Sequence, residues 1–214
     1  VGEDLDVMSG GAVSVTSASA SLSSSGAMTV ASGTSVSVSS ETASVEVSDV
    51  LEVSSGEVVV RAAERMSAYS GESVSLSTQD VDVSAGGSVS AFAGESASLV
   101  SGRVSVSASE SLSVHTREFG FVASGEIGIA SSDVVSVSGS DVSVSASESI
   151  GVSAGSDVSV GVGSDLEVAA GGKLVGRVAE SLELVSGSAL LESGGDIGVV
   201  SGAGVRVSAA GDMV

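Results

Sequence analysis

Large apolar and small polar residues alternate along most of the chain, and the alternation restarts every seven or eight residues. Residues 134–172 show this unit most clearly. In the unit that begins at Val142, the apolar positions are Val142, Val144 and Ala146, and a short turn at residues 147–149 follows. Because successive side chains of a strand point to opposite faces, the unit predicts a strand of about five residues with one buried face, closed by a tight turn.

The unit recurs from Leu5 to Met213 without a linker or a break in composition. Strands this short cannot bury a face alone, so copies of the unit must stack on one another. We therefore predict that residues 1–214 form one continuous β-helical repeat domain. Since the pattern is already under way at Val1 and is restarting at Val214, we expect the domain to be a fragment of a longer chain.

Three units per turn would give a triangular prism with one strand on each face, and the prism can be closed in two ways. Three identical chains can intertwine as a homotrimeric triple-stranded β-helix, or one chain can close it alone as a β-solenoid with about 23 residues per coil. Equally short corners along the whole chain favour the trimer. A regular recurrence of every third unit between Ala43 and Ala97 favours the solenoid. We predict an all-β fold with the trimer as the first interpretation and the solenoid as the alternative.

Three local features depart from the average unit. Residues 61–69 (RAAERMSAY) could form a helical turn, but they keep the spacing and are predicted as strand and corner. Phe119 and Phe121 fall on the inward phase and should widen the core. Gly176 stands where a large inward residue is expected.

Composition and charge restrict the possible functions. The 214 residues include no Pro and no Cys, only 2% are aromatic, and the formal net charge is −20. A chain this acidic is not expected to bind nucleic acid, which requires clustered Lys and Arg. Without Cys there is no disulfide framework and no thiolate or Cys-ligated zinc site. No apolar run is long enough to predict a transmembrane helix.

Acidic residues recur near the predicted corners, and two interpretations compete. They could form a column of Ca²⁺ ligands, or a solvated charged surface that keeps a long β-rod soluble. The second is our interpretation, because the Ca²⁺-binding nonapeptide G-G-x-G-x-D does not occur. The acidic residues concerned are Glu110, Glu118, Glu126, Asp133, Asp141, Glu148, Asp157 and Asp165.

The other candidates for chemistry are also interpreted as structural. His115 lies on the outward phase and has no nucleophile or orienting acid assigned to it. No G-x-S-x-G elbow precedes a helix. The outward serines could suggest ice or glycan binding, but no face stands out as more regular than the others. We assign no catalytic, cofactor-binding or metal-binding residue, and we expect a protein without a cofactor that is not an enzyme.

Units such as SDVSVSASESIGVSAGSDVSVGVGSDLEVAAGG resemble the octad-repeat β-helical needles of VgrG and phage gp5-like tail-spike proteins. The resemblance implies a structural protein, the rigid shaft or spike of a virion, a contractile injection apparatus or a surface appendage. It implies self-association as a homotrimer, contacts with flanking domains or other structural proteins, and membrane contact only for a piercing spike. The alternative function is a single-chain β-solenoid binding module, such as an adhesin with a glycan- or ice-binding face.

Overall fold

The computed structural model describes residues 4–210, and these contain strands and corners but no helix. It follows that this part of the chain has no helix able to cross a membrane. The predicted unit at Met213 lies outside the described residues. The strands are β1 (Leu5–Ser9), β2 (Val13–Ser24), β3 (Met28–Ser32), β4 (Ser35–Val47), β5 (Val50–Ser70), β6 (Ser73–Ala85), β7 (Val89–Ser101), β8 (Arg103–Ala108), β9 (Ser111–Ala123), β10 (Ile127–Ser131), β11 (Val134–Gly139), β12 (Asp141–Ala146), β13 (Ser149–Ala154), β14 (Val158–Val162), β15 (Asp165–Ala170), β16 (Lys173–Val178), β17 (Ser181–Ser186), β18 (Ser188–Ser193), β19 (Ile197–Ser201) and β20 (Gly204–Ala209).

All strand pairs are parallel, and each strand bonds to the strand one coil further along the same chain. Leu5 pairs with Met28, and Val142 pairs with Leu166. One coil therefore takes about 23 residues, a length within the range of solenoid repeats. The chain thus closes the prism by itself in about nine coils, and the predicted single-chain β-solenoid is confirmed. The intertwined trimer gains no support, because consecutive coils of one chain bond directly where a trimer would insert strands of two other chains.

Each coil contributes one strand to each of three faces. We number the faces 1 to 3 and describe each face by the first inward residue of every one of its strands. Face 1 is built on Leu5, Met28, Leu51, Val74, Ala97, Phe119, Val142, Leu166 and Ala189. Face 2 is built on Val13, Val36, Val58, Val81, Val104, Ile127, Ile150, Leu174 and Ile197. Face 3 is built on Ala20, Ala43, Met66, Val89, Leu112, Val135, Val158, Leu182 and Val205. Longer strands such as β5 continue around the corners and serve more than one face.

The inward phase of the alternation forms the core, as predicted. Val142 and Ala146 are buried, and Val144 between them packs against the core. Each fully buried Val, Leu or Ile side chain is worth roughly 1.5–3 kcal/mol. Phe119 is buried and its ring contacts that of Phe121, with centroids 4.4 Å apart, which confirms the inward phase of both residues.

Hydroxyl groups at the ends of the strands bind one coil to the next. Ser70 Oγ donates to the carbonyl oxygens of Asp49, in the preceding coil, and Ser73, in its own corner. Thr116 Oγ1 makes the equivalent pair of bonds to the carbonyls of Glu95 and Glu118. These buried hydroxyls are thereby satisfied, and they add to backbone bonds such as that from the N–H of Glu72 to the Asp49 carbonyl, at 3.0 Å.

Glycines occur at corners where coils approach too closely for a side chain. A Cβ on Gly155 would lie 1.8 Å from the carbonyl oxygen of Ser132, and one on Gly71 would lie 1.8 Å from that of Ser48. Gly120, in the middle of a strand, has no atom within 4 Å of that position. The short corners therefore depend on glycine at particular contacts, whereas strand glycines such as Gly120 do not serve this purpose.

An apolar cavity of about 130 Å³ follows the axis through the later coils. Gly176 lines it, paired with Val152 on one side and Val199 on the other. This placement confirms that Gly176 occupies an inward position expected to hold a large residue. The segment at residues 61–69 lies within β5, so its prediction as strand rather than helix is also confirmed.

Candidate interaction face

Outward residues that are one coil apart form columns along the axis. Coils are spaced by about 4.8 Å, so equivalent side chains in neighbouring coils are direct neighbours on the surface. Each face has two main outward columns, which follow the first and the second inward positions. The residues in these columns are fixed by the strand register and differ between faces.

On face 3 the first outward column consists of serine through seven consecutive coils. Its register is unbroken, and Ser67 Oγ lies 3.4 Å from Ser44 Oγ within it. The next two positions are Glu183 and Arg206, which form an ion pair at 3.6 Å. We call the seven residues the serine column: Ser21, Ser44, Ser67, Ser90, Ser113, Ser136 and Ser159.

The equivalent columns of the other two faces are irregular. On face 1 the column runs Asp6, Thr29, Glu52, Ser75, Ser98, Gly120, Ser143, Glu167 and Leu190. On face 2 it runs Ser14, Ser37, Val59, Asp82, Ser105, Gly128, Gly151, Val175 and Gly198. The expectation that no face is more regular than the others is therefore wrong, because face 3 has a repetition that the other faces lack.

The second outward column of face 3 contains three stacked rings. The ring centroids of Tyr69 and Phe92 are 5.1 Å apart with planes 4° apart, and those of Phe92 and His115 are 5.5 Å apart with planes 19° apart. We call these three residues the aromatic ladder. Stacks with such separations contribute about 0.5–1.5 kcal/mol per aromatic pair.

The aromatic ladder presents ring edges to solvent, because the ring faces cover one another along the axis. Tyr69 is 46% exposed, and His115 is also exposed, as predicted from its outward phase. His115 Nδ1 lies 2.7 Å from Ser138 Oγ in the next coil. The ladder is an aromatic strip that ends in the imidazole of His115 and the hydroxyl of Ser138. Such a strip suits contact with another surface.

This part of face 3 carries no formal charge. From the third to the seventh coil the two outward columns contain only the serine column, the aromatic ladder, Ser138 and Gly161. The whole chain has 27 Asp and Glu residues and a net charge of −20. Only Glu46 and Glu183 among the described acidic residues fall in these columns. Face 3 is thus a nearly neutral surface on a strongly acidic rod.

The corner carboxylates are dispersed and bond within the fold. Asp157 accepts hydrogen bonds from the backbone N–H of Ser181 at 3.1 Å and from its hydroxyl. Asp165 accepts one from the hydroxyl of Ser188. Within residues 4–210, no group of three His, Asp or Glu side chains is arranged to hold a metal ion. Of the seven basic residues, Arg61, Arg103 and Arg206 form exposed ion pairs, each worth about 0–1 kcal/mol.

Sequence reasoning missed the serine column and the aromatic ladder. The signal was present, since Tyr69, Phe92 and His115 follow one another at the length of one coil. It could be recognised only by following outward residues at the period of the coil rather than at that of the strand.

Comparison of the chain with family models, with curated proteins and with solved structures finds no match.

Proposed function

We propose that the chain is a structural protein, a rigid β-solenoid shaft or spike that belongs to a virion, a contractile injection apparatus or a surface appendage. The observation that supports this most directly is the uninterrupted parallel pairing of all three faces through about nine coils. The corners between the described strands are short throughout, so no long loops border a cleft in residues 4–210.

Closed strand pairing makes the rod resistant to bending and to local opening. Every interior strand has neighbours above and below, so exposed strand edges occur only at the two ends of the ladder. Bending such a rod stretches the backbone bonds on its convex side, and opening one coil breaks backbone bonds on three faces together. The proposal assigns the chain no catalytic activity, no cofactor and no nucleic-acid partner. Flanking domains or other structural proteins of the assembly are its proposed partners.

The mechanical role is tested by pulling on the two ends of single molecules and by thermal unfolding. We expect a folded rod about 40 Å long, melting above about 50 °C, and stepwise extension under force as single coils open. The Gly155→Ala variant should open at lower force because its Cβ meets the Ser132 carbonyl, whereas Gly120→Ala should match the parent. Smooth extension at low force, or melting well below that temperature, would contradict the proposal.

A second candidate function is a binding module, and the regularity of face 3 favours it. An adhesin or a glycan- or ice-binding protein would use a flat, repetitive, neutral surface of this kind. The test compares Ser113→Glu on face 3 with Ser98→Glu on face 1 in glycan-array and thermal-hysteresis measurements. Loss of binding only in the face 3 variant would support this function, and no binding by the parent would contradict it.

A further inference from the structure

We propose that face 3 is the surface on which a second copy of this chain docks, with the two rods antiparallel and related by a two-fold axis along the strands of the fifth coil. The proposal rests on the shaft function and names its lateral partner. The charge distribution, the size of the side chains and the available area support this arrangement.

The charge distribution leaves face 3 as the surface where two copies can approach. Each chain carries a net charge of −20, so two rods repel each other over most of their surfaces. The serine column and the aromatic ladder have no charged residue from the third to the seventh coil. Contact through these columns brings together surfaces that cost little electrostatic repulsion.

The two-fold axis also pairs opposite charges at the margin of the face. It reverses the order of the coils but keeps the position along the strand, so the third coil faces the seventh. Arg65 precedes Met66 in the third coil, and Asp157 precedes Val158 in the seventh. Arg65 is exposed and forms no ion pair with any residue in the range 4–210. In the dimer, Arg65 of each copy faces the Asp157 carboxylate of the other.

Side-chain size is complementary under the same operation. Tyr69 in the third coil faces Gly161 in the seventh, and Phe92 in the fourth faces Ser138 in the sixth. A Cβ on Gly161 would meet nothing within 4 Å, so the space above it is open in the single chain. Tyr69 and Phe92 of one copy therefore fit beside small residues of the other, whereas His115, in the fifth coil, meets its own counterpart at the axis. From the third to the seventh coil the serine columns face each other without bulky side chains.

The available area suits a dimer of modest affinity. The uncharged columns of the two copies overlap from the third to the seventh coil, and five coils at about 4.8 Å with strands of five residues at about 3.3 Å give roughly 400 Å² per copy, or about 800 Å² in total. This total lies in the range of weak, transient interfaces, so dissociation in the high micromolar range is expected. Association should therefore depend on concentration rather than persist at high dilution.

Sedimentation from low micromolar to high micromolar concentration tests association directly. We expect the mass to rise from the 20.3 kDa of the single chain toward twice that value. Arg65→Asp should weaken the dimer roughly fivefold or more, and Arg65→Asp with Asp157→Arg should recover part of the loss. Arg177→Asp, an exposed change on face 2, serves as the control and should leave association unchanged.

Cysteine cross-linking tests the geometry, since the chain has no cysteine of its own. Ser113 lies on the proposed axis, so Ser113→Cys should form a disulfide between copies. Ser67→Cys should not link to itself, because its counterpart would be four coils away, about 19 Å, beyond the reach of a disulfide. Mixed with Ser159→Cys, however, it should form a cross-link between the two variants.

The results of these experiments distinguish a failure of the dimer from a failure of the shaft function. A rod-shaped monomer at the highest concentration would overturn the dimer and leave the shaft intact. A mass three times that of the chain would also overturn the dimer and would indicate that three rods associate. Self-linking of Ser67→Cys would overturn the antiparallel arrangement. A particle that is not rod-shaped would contradict the shaft itself.

Discussion

At the scale of single residues, the fold depends on corner positions more than on the core, because many core positions hold interchangeable aliphatic side chains. The last inward position of the face 3 strands contains Val47, Ser70, Thr116 and Ser186 in different coils. Ser70 and Thr116 each donate to carbonyls of two corners. Ser186 Oγ is buried and has no hydrogen-bond partner in the part of the chain that the structure describes. The same residue type therefore stabilises one coil and costs free energy in another.

Replacing Ser186 by alanine should stabilise the protein, because it removes a buried hydroxyl whose desolvation is not compensated. The expected gain is about 1 kcal/mol in the free energy of unfolding, or a rise of roughly 2–4 °C in Tm. Ser70→Ala is the matched control and should lose about 1 kcal/mol, since it removes bonded contacts at a fully buried site. Chemical denaturation measures both changes. Equal losses in the two variants would show that Ser186 is bonded in solution.

At the scale of the strand, the alternation predicted which residues face the core but not which residues become neighbours. The inward phases of Val142 and Phe119 and the outward phase of His115 follow from local pattern alone. The residues that share a column cannot be deduced from this local pattern. The coil length is not constant, because it changes with the number of residues at the corners. Nor could the pattern separate one chain from three, since a strand has neighbours above and below in both arrangements.

Filling the axial cavity tests how the strands of face 2 pack. A Cβ at Gly176 would lie 3.9 Å from the nearest methyl of Val199, an ordinary contact, so Gly176→Val should fit. We expect it to stabilise the fold by about 1 kcal/mol through β-propensity and buried methyl groups. It should also reduce xenon binding, measured by NMR shifts, because apolar cavities of about 150 Å³ take up xenon.

The control for this change is Gly198→Val, at the neighbouring outward position of face 2. No atom lies within 4 Å of a Cβ there, so the variant gains β-propensity without filling the cavity. It should leave xenon binding unchanged. If both variants stabilise equally and neither alters xenon binding, the gain at Gly176 comes from backbone propensity alone.

At the scale of the whole molecule, the solenoid behaves as a one-dimensional array in which each coil contacts only its neighbours. The three faces use the same inward pattern, and the columns of face 3 are the main feature that distinguishes one side of the rod from another. Stability should therefore depend on the number of coils, whereas recognition depends on whether the columns stay aligned. Deleting a whole coil and deleting half a coil have different consequences for coil number and for alignment, so the two deletions distinguish these dependences.

Removal of residues 127–149 deletes one whole coil. Ile150, which pairs with Ile127 in the intact chain, then takes the place of Ile127. We expect the shortened chain to fold, to unfold cooperatively at a slightly lower temperature, and to be about 5 Å shorter along its axis. Removal of residues 127–138 deletes half a coil and places corner residues opposite strands, so it should abolish cooperative unfolding. Circular dichroism melts and small-angle X-ray scattering measure both variants. Equal disruption by the two deletions would mean that the coils are not interchangeable and that stability depends on contacts specific to this region.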